Sequence, residues 1–226
     1  MSRNRAIANS ALVALTGYIT SGPLGFLLVY YVKPQPSWIS PEVFAANYHI
    51  VQDLPYYFGF LLIGGMVMLV TGHCLDFNNE NSGKRFRLLA AFGFTIAFFV
   101  IISFNYICQT TFVRQLALNY EPEYDSTIAS FSMANPMSLC WAIEIWGYGF
   151  LGVATWFLSG YYSGKNRTIQ ILLWINGMVS IATIVLMIID MDWLMTPIGL
   201  SAYFVWNVLM IVLMILIYNY SRKLTS

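Results

Sequence analysis

Charge is what this chain has least of. Lysine, arginine, aspartate and glutamate make up 9% of its 226 residues, against 58% hydrophobic residues. A soluble domain averages about 25% charged and about 45–50% apolar residues. So few charges could not clothe a water-facing surface, which excludes an ordinary soluble globule. The formal net charge is +1 and no basic cluster exceeds three residues. That disfavours nucleic acid as a partner and a polybasic anchor on anionic lipid.

Cysteine and histidine are scarce as well. Cys74, Cys108 and Cys140 form no CxxC pair, so the usual dithiol redox motif is missing. His49 and His73 fall on opposite sides of the span assignment below, which removes a His-rich metal site. The chain carries no HExxH, GxSxG, P-loop or glycine-rich dinucleotide motif. Ser103 and Ser138 have no histidine within reach. No catalytic residue, metal site or cofactor is therefore expected.

Long apolar runs are what the chain does have. They lie at 6–32, 56–74, 88–111, 137–161, 168–189 and 198–218. Each is near the roughly 20 residues that cross a bilayer core as a helix. The expectation is an all-α polytopic membrane protein: one six-helix domain over 1–226, with outer loops at 33–55 and 112–136. The first run follows Arg3 and Arg5 but exceeds the about 7–15 apolar residues of a signal peptide, so it reads as an uncleaved span.

In this layout Arg3, Arg5, Lys84, Arg85, Arg87, Lys165, Arg167, Arg222 and Lys223 share one side. Only Lys33 and Arg114 lie on the other. Basic residues near spans are retained in the cytoplasm, so both termini are expected there. The outer side holds Glu42, Asp53, Glu121, Glu123, Asp125, Asp190 and Asp192. Trp38, Tyr56, Tyr57, Tyr106 and Trp193 fit an outer aromatic belt, and Tyr161, Tyr162, Tyr218 and Tyr220 an inner one.

Local signals refine this layout. Pro23, among Gly17, Gly22 and Gly25, predicts a kink in the first span. Ser40-Pro41-Glu42 reads as a helix start, with a capping hydroxyl, proline at the first position and an acid in the first turn. Gly64 and Gly65 invite close approach of another helix. His49 and Asp53 share a face of the outer helix and are placed to titrate together. The two halves of the chain show no matching landmarks, so no internal repeat is read.

Glu144 is the sole charged residue well inside a run, and an intramembrane acid is a functional candidate by default. Helical spacing sets Trp141, Glu144 and Tyr148 on one side of the fourth span. At similar depth the third span offers Asn105 and Gln109, and the sixth Tyr203 and Asn207. Together they suggest an outer-half cavity with aromatic walls. Polar residues of this kind also serve as glue between helices, which is the competing reading.

The stretch Glu144-Ile-Trp-Gly-Tyr-Gly-Phe-Leu-Gly-Val-Ala resembles the fourth span of a group of uncharacterised bacterial integral membrane proteins with six spans. That resemblance implies the same layout in a bacterial inner membrane, and it brings no activity or cofactor. Three functional expectations follow. The first is binding or transport of a small lipophilic or cationic ligand at Glu144, attracted by the acidic outer rim. The second is a non-catalytic accessory, sensor or immunity protein with a membrane protein partner. The third is an intramembrane enzyme acting on lipid.

Overall fold

The computed structural model describes residues 2–75 and 81–225, and every regular element among them is helical. The first apolar run is a helix in two pieces, α1 (Arg3–Ser21) and α2 (Pro23–Val32). Pro23 has no backbone N–H to donate. The bend falls beside it at Gly22, whose φ of −84° and ψ of −107° leave helical space. The pieces stay joined, because Gly22 N donates to Tyr18 O at 3.1 Å and Phe26 N to Gly22 O at 2.9 Å. The expected kink is thus a local bend and not an unwound gap.

α3 (Pro41–Asn47) starts where the sequence signals it, with Ser40 Oγ accepting from Val43 N at 3.2 Å. A short 3-10 turn (Ile50–Asp53) leads into α4 (Leu54–Cys74). α5 (Ser82–Ile107) begins ahead of the apolar run expected at 88, because Asn81 Oδ1 caps Lys84 N at 3.0 Å. Residues 76–80 of the expected inner loop lie outside the described residues.

Nor does this helix stop at 111. It continues through a π-helical turn (Cys108–Val113) into α6 (Arg114–Leu118). A 3-10 turn (Pro122–Tyr124) and α7 (Asp125–Phe131) follow. The segment 112–136, expected to be a loop, is therefore largely helical. Phe44, Val113, Ala117 and Ile128 give α3, α6 and α7 a small apolar core of their own. These pieces are too short to register as apolar runs, and only their mutual packing makes them elements.

α8 (Leu139–Ser159), α9 (Arg167–Ile189) and α10 (Pro197–Lys223) complete the chain, capped by Ser138, Asn166 and Thr196. Among the described residues, five helical stretches are long and apolar enough to cross a membrane: Arg3–Val32, Ile50–Cys74, Ser82–Leu118, Arg167–Ile189 and Pro197–Lys223. α8 has 21 residues, as many as α4. Glu144, three tryptophans, Tyr148 and its glycines dilute its apolar character.

The long helices form a ring. α1 packs along α4 and α10, α4 against α5, α5 against α8, and α8 against α9, while α9 and α10 meet only sparsely. Tyr18, Leu62, Met66, Phe98, Ile102, Leu151 and Met210 fill the centre. Phe26, Phe99, Phe104, Ile188 and Phe204 face outward, as a hydrocarbon-facing surface would. Asn4 Nδ2 donates to Leu224 O at 3.3 Å, so the termini share one end of the bundle. α3, α6 and α7 cover the far end.

Candidate functional site

Glu144 lies in the second turn of α8, near the far end. α5 runs antiparallel beside it and brings two consecutive side chains to the carboxylate. Asn105 Nδ2 donates to Glu144 Oε2 at 2.7 Å, and Tyr106 OH to Oε1 at 3.0 Å. The Tyr148 hydroxyl lies 3.0 Å from that of Tyr106. Tyr106 has one hydroxyl proton; if it goes to Glu144, Tyr148 must be the donor in the second contact.

A chain of amides approaches from the other side. Gln109 Nε2 donates to Asn105 Oδ1 at 3.3 Å and to Phe131 O at 2.9 Å, and Gln109 Oε1 accepts from Met133 N at 2.9 Å. Asn105 Nδ2 also donates to Cys140 O at 3.1 Å. Donors thus converge on Glu144 from phenols on one side and amides on the other. Among the described residues no lysine, arginine or histidine pairs with it.

Of the residues singled out in the sequence, Asn105, Gln109 and Tyr148 join Glu144 in this network. Trp141 faces elsewhere: its Nε1 donates to Met191 O at 3.0 Å, and it packs with Ile145 and Met187. It ties α8 to the connection between α9 and α10. Asn207 Nδ2 donates to Tyr203 O at 2.9 Å, and its Oδ1 sits against Gly22. The Tyr203 side chain is 44% exposed and stacks on Trp206, with ring centres 6.2 Å apart. Trp206 makes the link to the site, meeting the Tyr148 ring edge-on at 5.4 Å and that of Tyr18 at 5.9 Å.

Tyr56, Tyr106 and Trp206 are the site residues that sequence reasoning did not single out. Tyr56 and Tyr106 read as belt aromatics, yet Tyr106 is only 4% exposed. It occupies space that Gly59 of α4 leaves open, since a Cβ there would lie 2.3 Å from the ring. The Tyr56 and Tyr106 ring centres are 5.4 Å apart. A signal was present: Asn105-Tyr106 and Gln109-Thr110 make a polar stripe at helical spacing within an apolar run.

The remaining ionisable groups lie toward the two ends. Asp53 is 3% exposed and accepts a hydrogen bond from Tyr48 OH. Burial, and after it this bond to Asp53, pushes the Tyr48 phenol above its ordinary pKa. His49 does not pair with Asp53, because its Nδ1 accepts from Val51 N at 3.2 Å. Tyr120 is pushed up to about 12, chiefly by its hydrogen bond to Asp125. Asp192 is raised by hydrogen bonding to Asp190 and by that neighbour's like charge. At the terminal end His73 Nε2 lies 2.7 Å from Tyr162 OH. The cysteines are free thiols. Among the described residues no group of three His, Cys, Asp or Glu is placed to hold a metal ion.

No known protein family, curated protein or solved structure matches the chain.

Proposed function

We propose that the chain is a six-span protein of the inner membrane, with both termini in the cytoplasm, and that Glu144 takes up a small cation, the proton included, from the outer side. The observation that carries this reading is a carboxylate held by converging donors with no basic side chain as its counter-charge. A lone charge at bilayer depth costs about 2.5–3.5 kcal/mol on insertion scales. Hydrogen bonds reduce that cost without neutralising the charge, so a cation would be the natural complement. The rings of Tyr56, Tyr106 and Tyr148 offer faces that attract cations.

Support for six crossings comes from parity. Termini that share an end require an even number of spans, and α8 added to the five apolar stretches makes six. Its 21 residues would reach about 30 Å, the thickness of the hydrocarbon core. Nine of eleven basic residues at the terminal end favour a cytoplasmic location for that end.

A second reading has its own observation. Both Glu144 oxygens already have partners on α5, as a residue that only locks α5 to α8 would. An accessory or sensor protein would need no more. The two readings part on two measurements in detergent: thermal unfolding in sodium chloride against choline chloride, and infrared absorption of a protonating carboxyl during a pH titration. A cation at a hundredfold excess over its Kd stabilises by about 2.7 kcal/mol, here a rise of roughly 5–10 °C. The wild type should show this rise or a titrating carboxyl band, and Glu144→Gln should remove it while remaining folded. A wild type with neither response, or a Gln variant that keeps them, overturns the cation reading.

A further inference from the structure

We infer that protons reach Glu144 from the far end through a cavity the size of one water, with Asp53 as the acid in its wall. This rests on the reading of Glu144 as a group that takes up a cation. The cavity measures about 10 Å³, and its polar walls include Gln35, Tyr48, Gln52, Asp53, Tyr56 and Gln109. That volume is about the space one water needs, and a water there would need two to four polar partners, which these walls supply. An organic cation would not fit, and a route that ends in phenol hydroxyls passes protons and not metal ions.

Asp53 lines the cavity, and Glu144 lies behind Gln109 and Tyr56 of its wall. Gln109, in its wall, donates to Asn105, which donates to Glu144. Both ends of the Gln109 amide are held by Phe131 O and Met133 N, so this pair positions the carboxylate and does not shuttle protons. Tyr56 lines the same cavity, packs on Tyr106 and stands within electrostatic range of both Asp53 and Glu144. Phenols relay protons as amides do not. A hydronium protonates Asp53, and Asp53 passes a proton to the cavity water. The water delivers one to the Tyr56 hydroxyl, which makes no hydrogen bond among the described residues and must swing to the Tyr106 hydroxyl to hand it on to Glu144. Each hydroxyl accepts one proton as it releases another, so neither phenol changes charge.

Other groups facing the route come from several elements. Tyr48 and Arg114 act on Asp53, with Tyr57 held by Arg114 Nη1 at 3.3 Å. Tyr56, Tyr148, Tyr203 and Cys140 stand within electrostatic range of Glu144 beyond its two donors. None of the groups around Glu144 is a base that would hold the proton before it arrives.

The test uses the full chain in lipid nanodiscs, with a pH jump from a photolabile acid and time-resolved infrared detection. The Glu144 band is the carboxyl signal that Glu144→Gln removes. Asp53→Asn should slow its appearance by roughly a hundredfold, the low end of what a positioned acid–base group contributes, and leave its final amplitude intact. Tyr56→Phe, which keeps the ring and loses only the hydroxyl, should slow it as well. Should one variant fail to fold, the other decides. A band that appears at the wild-type rate in the folded variants overturns the route and leaves the Glu144 reading standing. A wild type with no such band overturns the route, and the Glu144 reading then stands or falls on the thermal response to sodium.

Discussion

Asn105 holds the site together with a single amide. It is fully buried, its two N–H groups reach Glu144 and the Cys140 carbonyl, and its oxygen accepts from Gln109. Leucine in its place would orphan Glu144 Oε2, whereas the Cys140 carbonyl keeps its place in the hydrogen-bond ladder of α8. Each buried polar group left unpaired costs about 1–3 kcal/mol, so Asn105→Leu should lower the melting temperature by roughly 2–12 °C at about 2–4 °C per kcal/mol. Tyr106→Phe loses two hydroxyl contacts, to Glu144 Oε1 and to the Tyr148 hydroxyl, and should cost about 1–3 kcal/mol as well. Thermal melts of the two in detergent check both, and a variant that melts with the wild type would contradict its part of the network. Glu144, Asn105 and Gln109 were legible from sequence because a polar side chain inside an apolar run stands out. Tyr106 was not, since a tyrosine near a span end suits an interfacial belt and an interior site equally. Tyr203 and Asn207 had the right depth, but the rotation of α10 directs them to each other and to Gly22.

Among the elements, the closest pair is α1 and α4. A Cβ on Gly17 would lie 2.2 Å from Leu62 N, and one on Gly65 2.4 Å from Ala14 N. The backbones touch there, as small residues permit in membrane helices. Gly64, adjacent in sequence, would meet nothing within 4 Å. Gly17→Val should therefore force the helices apart at a cost of about 1–3 kcal/mol. Gly64→Ala should be neutral, or stabilising by up to about 1 kcal/mol through helix propensity. Equal melting of the two variants would argue against a backbone contact. The sequence marks Gly64 and Gly65 alike, and only the rotation of α4 separates them. The same holds for α6 and α7, which pack with Phe44 of α3 in one apolar cluster.

At the scale of the whole molecule the testable property is which end faces which compartment. In a protein with Cys74, Cys108 and Cys140 replaced, a cysteine at Asp125 should react with an impermeant thiol reagent added outside the cell, and one at Arg85 should not. Labelling in the opposite pattern would reverse the orientation and direct the Asp53 cavity toward the cytoplasm. Membrane class, the long apolar runs and the one-sided distribution of basic residues were determined by the sequence alone. Transfer free energy and charge accumulate residue by residue and need no knowledge of neighbours. The contacts of Glu144, the turning of Tyr56 and Tyr106 inward, the cap of α3, α6 and α7 and the water-sized cavity were decided only by the tertiary structure. Each depends on how far one helix is rotated and how closely it approaches the next. A chain read one residue at a time carries no record of either, because glycine gaps and ring packing set them jointly across elements far apart in sequence.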